Sequence, residues 1–511
     1  MARDPHVSPQ RWRIPAPRLD QLWALAAVCM VAITLSLSVT EPNDYWWHLK
    51  AGELTATEGL PTTNRFAWTL PHDHPYTYQS WLGELLFFWL YQLGDHPLVI
   101  GVARNLSGSL AYALVAIEAQ RRSGSWRWAA FVTVLAGLMA INTFTTRPQN
   151  WSWLPFMLTF TLLSRYVDRQ LAPRWLILLP LLMALWVNLH GAFIMGILIT
   201  GAFVVGESLR TLLRQPEALA RHELGPLYLT LVAMGAALFV NPLGLGIFGY
   251  LQTLLTDQSS QQLVSEWQSP NPRDLAGATF YLSVLFVIAA FAFARRRPSI
   301  TAVILVCGLA WQAFIGIRYV VWFGMVAMPI VAQVLGPGQN VSRAIMRQRG
   351  PNLVLAALLI GLVLLVQPWP FLKLPWPPAY REQFSPHIET PLLFSAATPF
   401  AAVDHLLAEP CPGRIFNEMG YGSYTAWALY PQARHFIDPR VELFPYELWR
   451  EYITISRGDD LEAAVARHDL ACIMLDRERQ PGLAAAMPNL PGWQQSFSDG
   501  RSEVWRRNPD A

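Results

Sequence analysis

The stretch EPNDYWWHLKAGE, residues 41–53, leaves an apolar run that starts at about Leu22 and sets Asp44, His48 and Lys50 around Tyr45, Trp46 and Trp47. An apolar run of roughly 20 residues is long enough to cross a hydrocarbon layer about 30 Å thick. The segment after it reads as a helix stopping at Gly59 before Pro61. On that helix Asp44 and His48 are four apart and share a face, with Trp47 and Ala51 on a neighbouring one. A membrane exit carrying an acid, a base and a cation among aromatic rings is the pattern from which the rest of the chain is read.

Composition agrees with a polytopic membrane protein: 53% of the 511 residues are hydrophobic, 14% are charged, and the mean hydropathy is +0.26. The first apolar run is long enough to be a retained helix rather than a cleaved signal. The net charge of +3 is almost entirely arginine and calls for no nucleic-acid partner. Eleven apolar runs predict spans, at about 22–40, 97–119, 128–145, 150–165, 175–190, 192–209, 226–241, 277–294, 299–317, 319–336 and 352–371. The connections alternate. One set carries Arg3, Arg11, Arg13 and Arg18, then Arg121, Arg122 and Arg127, Arg165, Arg169 and Arg174, Arg210, Arg214 and Arg221, Arg295–Arg297, and Arg343, Arg347 and Arg349. The positive-inside rule makes these cytoplasmic, so the tail 1–21 lies inside and residues from about 372 lie outside. SWLGELLFFWLYQLGD, residues 80–95, reads as a helix lying in or re-entering the outer interface, within a first outer loop spanning 41–96.

The outward ends are polar in a recurrent way: TTRPQNW at Arg147, WVNLHGAF at Asn188 and His190, FVNPLGLG at Asn241, SEWQSPNPRD at Glu266 and GIRYVVW at Arg318. Ionisable groups at membrane depth are costly and mark functional positions. Each also has a plainer reading. Asp44 can cap its helix, Trp46 and Trp47 can form an interfacial belt, and His190 can be a satisfied helix-end histidine. Arg147 and Arg318 are harder to dismiss, because two cations on the arginine-poor side suit a lipid phosphate. The H-x-H of HDHPY, His72 to Tyr76, has no fixed third ligand, so a divalent metal is unsupported and no cofactor is expected. Cys29 and Cys307 read as small hydrophobes. Cys411 and Cys472 can pair if their segment is extracytoplasmic.

Past the Pro-rich exit 372–396, residues 397–511 read as a small α/β domain, with strands in RIFNE, RHFID, ACIMLD and SEVWRR and helices in ELWREYITI and DDLEAAVARH. Glu418, Asp438 and Arg440 group near strand ends, as acceptor contacts or, more simply, a structural salt bridge. No Walker loop, G-x-G-x-x-G or nucleophile elbow is present, which leaves nucleotide-driven transport and serine hydrolysis without support.

The order of one span, a large outer loop with an early Asp, many spans and an outward soluble domain resembles the C-type (GT-C) glycosyltransferase superfamily. NDYWWHLKAGELTATEGLPTTNRFAWT, SWLGELLFFWLYQLG, TTRPQNWSW, WVNLHGAFIMG and IRYVVWFGMVAMPIVA resemble bacterial membrane proteins of that type over nearly the whole chain. The resemblance implies an α-helical polytopic fold over 22–371 in a bacterial inner membrane, with the C-terminal domain periplasmic. It also implies inverting transfer from a polyprenyl-phosphate sugar to a lipid, glycan or protein acceptor, with Asp44 as general base. Many relatives carry two adjacent acids where this chain has Asn43–Asp44. On this expectation Arg147 and Arg318, with Lys50, hold phosphate, while His48, His190, Glu266 and Trp47 contact sugar or phosphate. The rival readings are a flippase for polyprenyl-linked glycans and a non-catalytic envelope assembly protein.

Overall fold

The computed structural model describes residues 16–294, 296–338, 349–372, 374–388 and 391–508. Arg3, Arg11, Arg13, Arg295, Arg343 and Arg347 of the arginine pattern lie outside the described residues. The chain is mostly helical. In order it forms α1 (Leu19–Leu37), α2 (Pro42–Thr57), α3 (Trp81–Gly94), α4 (Leu98–Ser123), α5 (Trp126–Ala140), α6 (Asn150–Val167), α7 (Leu178–Leu189) and α8 (Ile194–Leu212). There follow α9 (Arg221–Ala237), α10 (Gly246–Thr256), α11 (Gln258–Leu263), α12 (Leu275–Phe293), α13 (Ile300–Ile315), α14 (Val320–Leu335) and α15 (Arg349–Leu365). Each of the eleven apolar runs is thus helical. Five helical segments, Leu19–Leu37, Leu98–Ser123, Gly191–Leu212, Leu275–Phe293 and Ile317–Leu335, are long and apolar enough to cross a membrane. Their outer faces stay apolar and exposed, as at Trp23, Leu110, Leu282 and Phe293, so this is a membrane protein whose surface suits lipid.

Two glycines set the packing of α2, α3 and the end of α7. α2 starts with Pro42 in its first turn, where a missing N–H costs nothing, and stops before Gly59 at φ +91°. Where α2 crosses α3, a Cβ on Gly52 would sit 2.1 Å from the Glu84 carbonyl oxygen. On α3, a Cβ on Gly83 would sit 2.5 Å from the Leu189 carbonyl oxygen at the end of α7. Only glycine allows these backbone approaches. With fourteen residues, α3 is short of a full crossing, and it packs beside α2.

The C-terminal part holds a four-stranded sheet of β1 (Arg414–Asn417), β2 (Leu470–Asp476), β3 (Trp493–Ser498) and β4 (Ser502–Arg507) in the order β1-β2-β4-β3. β1 and β2 are parallel; the other pairs are antiparallel. RHFID is not one of its strands. His435 exchanges backbone hydrogen bonds with Phe66 and Trp68 of the outer loop instead, a partner too remote in sequence to be visible there. β3, WQQSFS, has little apolar content and was not expected. Cys411 and Cys472 are disulfide-bonded.

The C-terminal part and the outer loop share a core. Trp46, 2% exposed, stacks at 6.1 Å on Phe394 and meets Tyr424 edge-on at 5.0 Å. Tyr45 and Phe87 join the same cluster. Thr40, leaving α1, pairs with Leu393 and Ser395, so the Pro-rich exit ends against the first loop. The belt reading of Trp46 and Trp47 therefore gives way: both are buried under protein, and burying each indole contributes on the order of 2–3 kcal/mol.

Candidate active site

Asp44 lies at the third residue of α2, with Glu41 at the cap position and making no side-chain cap bond, so capping is not the work of Asp44. It opens onto a cavity of about 290 Å³ that also receives Trp47, His48, Arg147, His190, Glu266 and Arg318. Residues scattered from 44 to 318 meet there because the breaks between helices converge at one end of the bundle. Arg147 sits in the turn before α6, its backbone N–H bonded to Asn150 Oδ1 at 2.9 Å. Glu266 and Arg318 come from 3₁₀ turns tied by the Ile317 N–H to the Gln268 carbonyl at 2.9 Å. Asn188 fixes the α7 end by accepting from Trp81 Nε1 at 2.8 Å and donating to the Val240 carbonyl at 2.7 Å, a positioning role.

The electrostatic centre is a row of three groups. The Arg147 guanidinium gives Nη1 to Glu266 Oε2 at 2.8 Å and Nη2 to Glu266 Oε1, and lies 3.4 Å from Asp44 Oδ2. Burial raises Glu266, but the charge of Arg147 outweighs it and holds the carboxyl down to about 2. Burial likewise raises Asp44, and there it wins over Arg147, with Glu266 adding to the rise. Two carboxylates are thereby differentiated: Glu266 is a fixed counter-ion, and Asp44 is the more basic, with 28% of its side chain exposed to the cavity. Arg318 differs from Arg147. It has no carboxylate within ion-pair distance among the described residues, and its guanidinium lies 4.6 Å from the Trp267 ring centroid.

The two histidines are neutral hydrogen-bonding groups. His190 Nδ1 accepts from the Ala192 N–H at 3.1 Å and lies 3.2 Å from Ser152 Oγ, which itself accepts from Trp186 Nε1 at 2.8 Å. Nδ1 is thus an acceptor and the ring proton sits on Nε2. Burial, then Arg318 and Arg147, lower this imidazole to about 3. His48 stacks on Trp47 at 3.6 Å and faces Glu84 Oε1 through Nδ1 at 2.7 Å. Burial pushes Glu84 up to about 8, while burial and the nearby His190 and Arg147 push His48 well down, and both shifts favour a neutral pair over an ion pair. Glu84 Oε2 has no hydrogen-bond partner among the described residues.

Lys50 is elsewhere. Its ammonium pairs with Glu53 at 2.8 Å and lies 5.2 Å from the Trp427 ring, on the side of α2 turned to the C-terminal part. In the other direction, Arg440 and Glu442 reach the cavity from the C-terminal part. Arg440 is locked to Asp438 through Nη2 at 2.6 Å and Nε at 2.9 Å, and Glu418 instead caps the helix Met419–Ala428 and pairs with Arg479 at 3.3 Å. The salt-bridge reading of Asp438 and Arg440 describes their geometry. Glu84, Tyr76, Trp267 and Glu442 were not expected in the site; a lone carboxylate in the apolar run 80–95 was the one available signal. Among the described residues no three His, Cys, Asp or Glu form a ligand set, and His72 is exposed.

The helices and the small α/β unit enclose this cavity between them, with Asp44 of α2 facing it. No protein-family model and no curated protein matches the chain in sequence. Among solved structures, arabinofuranosyltransferase AftD from Mycobacteria aligns with a TM-score of 0.53 at 12% identity, over 98% of this chain and 40% of that one. ArnT from Cupriavidus metallidurans bound to undecaprenyl phosphate aligns with a TM-score of 0.50 at 15% identity, over 94% of this chain and 97% of that one. Its apo state gives the same score and identity over 94% and 96%. The chain therefore has the GT-C fold.

Proposed function

We propose that the chain is an inverting glycosyltransferase that moves a sugar from a polyprenyl-phosphate donor to an acceptor hydroxyl, with Asp44 as general base. The observation that carries this is the division of charge in the cavity: a basic carboxylate at Asp44, held but not saturated by Arg147, opposite the carboxylate-free cation Arg318. The acceptor oxygen attacks the anomeric carbon, the bond from that carbon to the phosphate oxygen breaks, and Asp44 takes the hydroxyl proton. Arg318 receives the phosphate, with the neutral His190 as a further donor beside it. Arg147, saturated by Glu266, orients Asp44. ArnT, with undecaprenyl phosphate bound on the same fold, supports the donor class.

Eleven spans over 22–371, with the cavity and residues 397–511 outside, is the topology that goes with this reading. The Cys411–Cys472 disulfide supports it, since such bonds persist in oxidising compartments. Membrane, polyprenyl-linked sugar and acceptor are then the partners, in a bacterial inner membrane. The test is mass spectrometry of lipids retained by the purified wild type and by Asp44→Asn. A polyprenyl-phosphate sugar accumulating on the variant is expected; no such lipid on either folded protein would sink the reading.

A further inference from the structure

Beside the Asp44–Arg147–Glu266 row lies a second cavity of about 440 Å³ that shares these three residues, together with Asn43 and Ser265, with the first. The two cavities therefore adjoin along this row. The two sides differ in chemistry. On the first, Arg318 is a cation with no carboxylate within ion-pair distance among the described residues, set among the rings of Trp47, Tyr76, Tyr250 and Trp267. On the second, the charged groups beyond the row are Glu41 and Asp274, neither of which has a cation within ion-pair distance among the described residues. Among the described residues no aromatic ring lines that side.

The second cavity is also supplied with uncommitted hydrogen-bonding groups. The Asn142 amide and the Glu41 carboxylate make no hydrogen bond among the described residues. Asp274 spends Oδ1 on the Gly277 N–H at 2.7 Å, leaving Oδ2, and Asn271 spends Oδ1 on the Arg273 N–H at 3.0 Å, leaving its NH₂. Carboxylate acceptors together with amide donors match the paired donor and acceptor character of neighbouring hydroxyls. They do not match a lipid chain, which needs apolar walls, or a phosphate, which needs cations.

We propose that this second cavity is the acceptor site, and that it takes a neutral, hydroxyl-rich saccharide whose reacting hydroxyl meets Asp44 at the shared wall. The proposal rests on the transferase reading above and adds the class of acceptor and the side from which it enters. Anionic acceptors are turned away by Glu41 and Asp274, so discrimination comes from repulsion as well as from contact.

The test uses the full chain in lipid nanodiscs, titrated with a pool of tagged neutral di- to tetrasaccharides and with its 6-phosphorylated counterpart. Binding is read by native mass spectrometry, and retention of added undecaprenyl phosphate is measured in parallel. The neutral pool should bind at least about tenfold more tightly than the phosphorylated one. Asn142→Trp, at an exposed position, should fill the cavity and abolish neutral binding while leaving lipid retention and thermal stability as in wild type. Glu41→Lys should narrow the preference against phosphate. Equal or tighter binding of the phosphorylated pool, or neutral binding that survives Asn142→Trp, overturns the proposal. Neutral binding lost in Asn142→Trp with no retention of undecaprenyl phosphate by any form upholds the saccharide site and brings down the transferase reading instead.

Discussion

Replacing Glu84 by Gln tests the protonation of the cavity wall without touching the base. Glu84 is 1% exposed and its carboxyl is raised from an ordinary 4.5 to about 8, chiefly by burial. Between those two values the folded protein holds a proton that the unfolded chain has released, so this residue makes stability fall as pH rises across that window. From about pH 5 to about pH 9 the loss amounts to about 4 kcal/mol at 1.36 kcal/mol per unit. Gln carries no such linkage, yet its NH₂ can still donate to His48 Nδ1, which lies 2.7 Å from Glu84 Oε1. His48 titrates with the opposite sign, and its contribution largely cancels when the two proteins are compared. The expected result is a Glu84→Gln protein that matches wild type near pH 5 and becomes progressively more stable than it towards pH 9. Thermal unfolding in nanodiscs, followed by tryptophan fluorescence at several pH values, reads the difference. A difference that is flat, or that shrinks with rising pH, refutes the assignment: Glu84 would then be ionised in the fold, His48 would carry the proton, and a cation would stand four residues from Asp44.

Three further outcomes follow from the geometry. Arg318→Ala should lose polyprenyl-phosphate retention by ten- to a hundredfold, on the scale of about 1.5–3 kcal/mol for a charge-assisted contact, with Arg318→Lys intermediate; binding of labelled undecaprenyl phosphate measures it. Lys50→Ala should leave that binding unchanged in the same assay, because the ammonium is engaged by Glu53 and Trp427. Gly52→Val should prevent the α2–α3 crossing, since even its Cβ would lie 2.1 Å from a backbone oxygen; the readout is loss of folded protein in size-exclusion chromatography, whereas Lys50→Ala elutes normally.

Much of the fold was legible because the membrane solvent simplifies the code: each apolar run had to become a helix, since no other structure within one segment satisfies its backbone in lipid. Helical periodicity likewise placed Asp44 and His48 on one face, and the cost of charge at membrane depth singled out Arg147, His190, Glu266 and Arg318, all of which line one cavity. Those arguments depend on local spacing and on solvent, and both are written in the chain. What tertiary structure decided was pairing. Whether Arg147 or Arg318 carries the carboxylates, that Lys50 turns away, that Trp46 lies in a core shared with Phe394 and Tyr424, and that RHFID bonds to the segment at Phe66 and Trp68 all depend on contacts between segments far apart in sequence. Sequence spacing holds no record of such partners, so the chain by itself pointed to part of the cavity lining, while packing turned Lys50 away, brought in Glu84, Tyr76, Trp267 and Glu442, and determined which charge each residue meets.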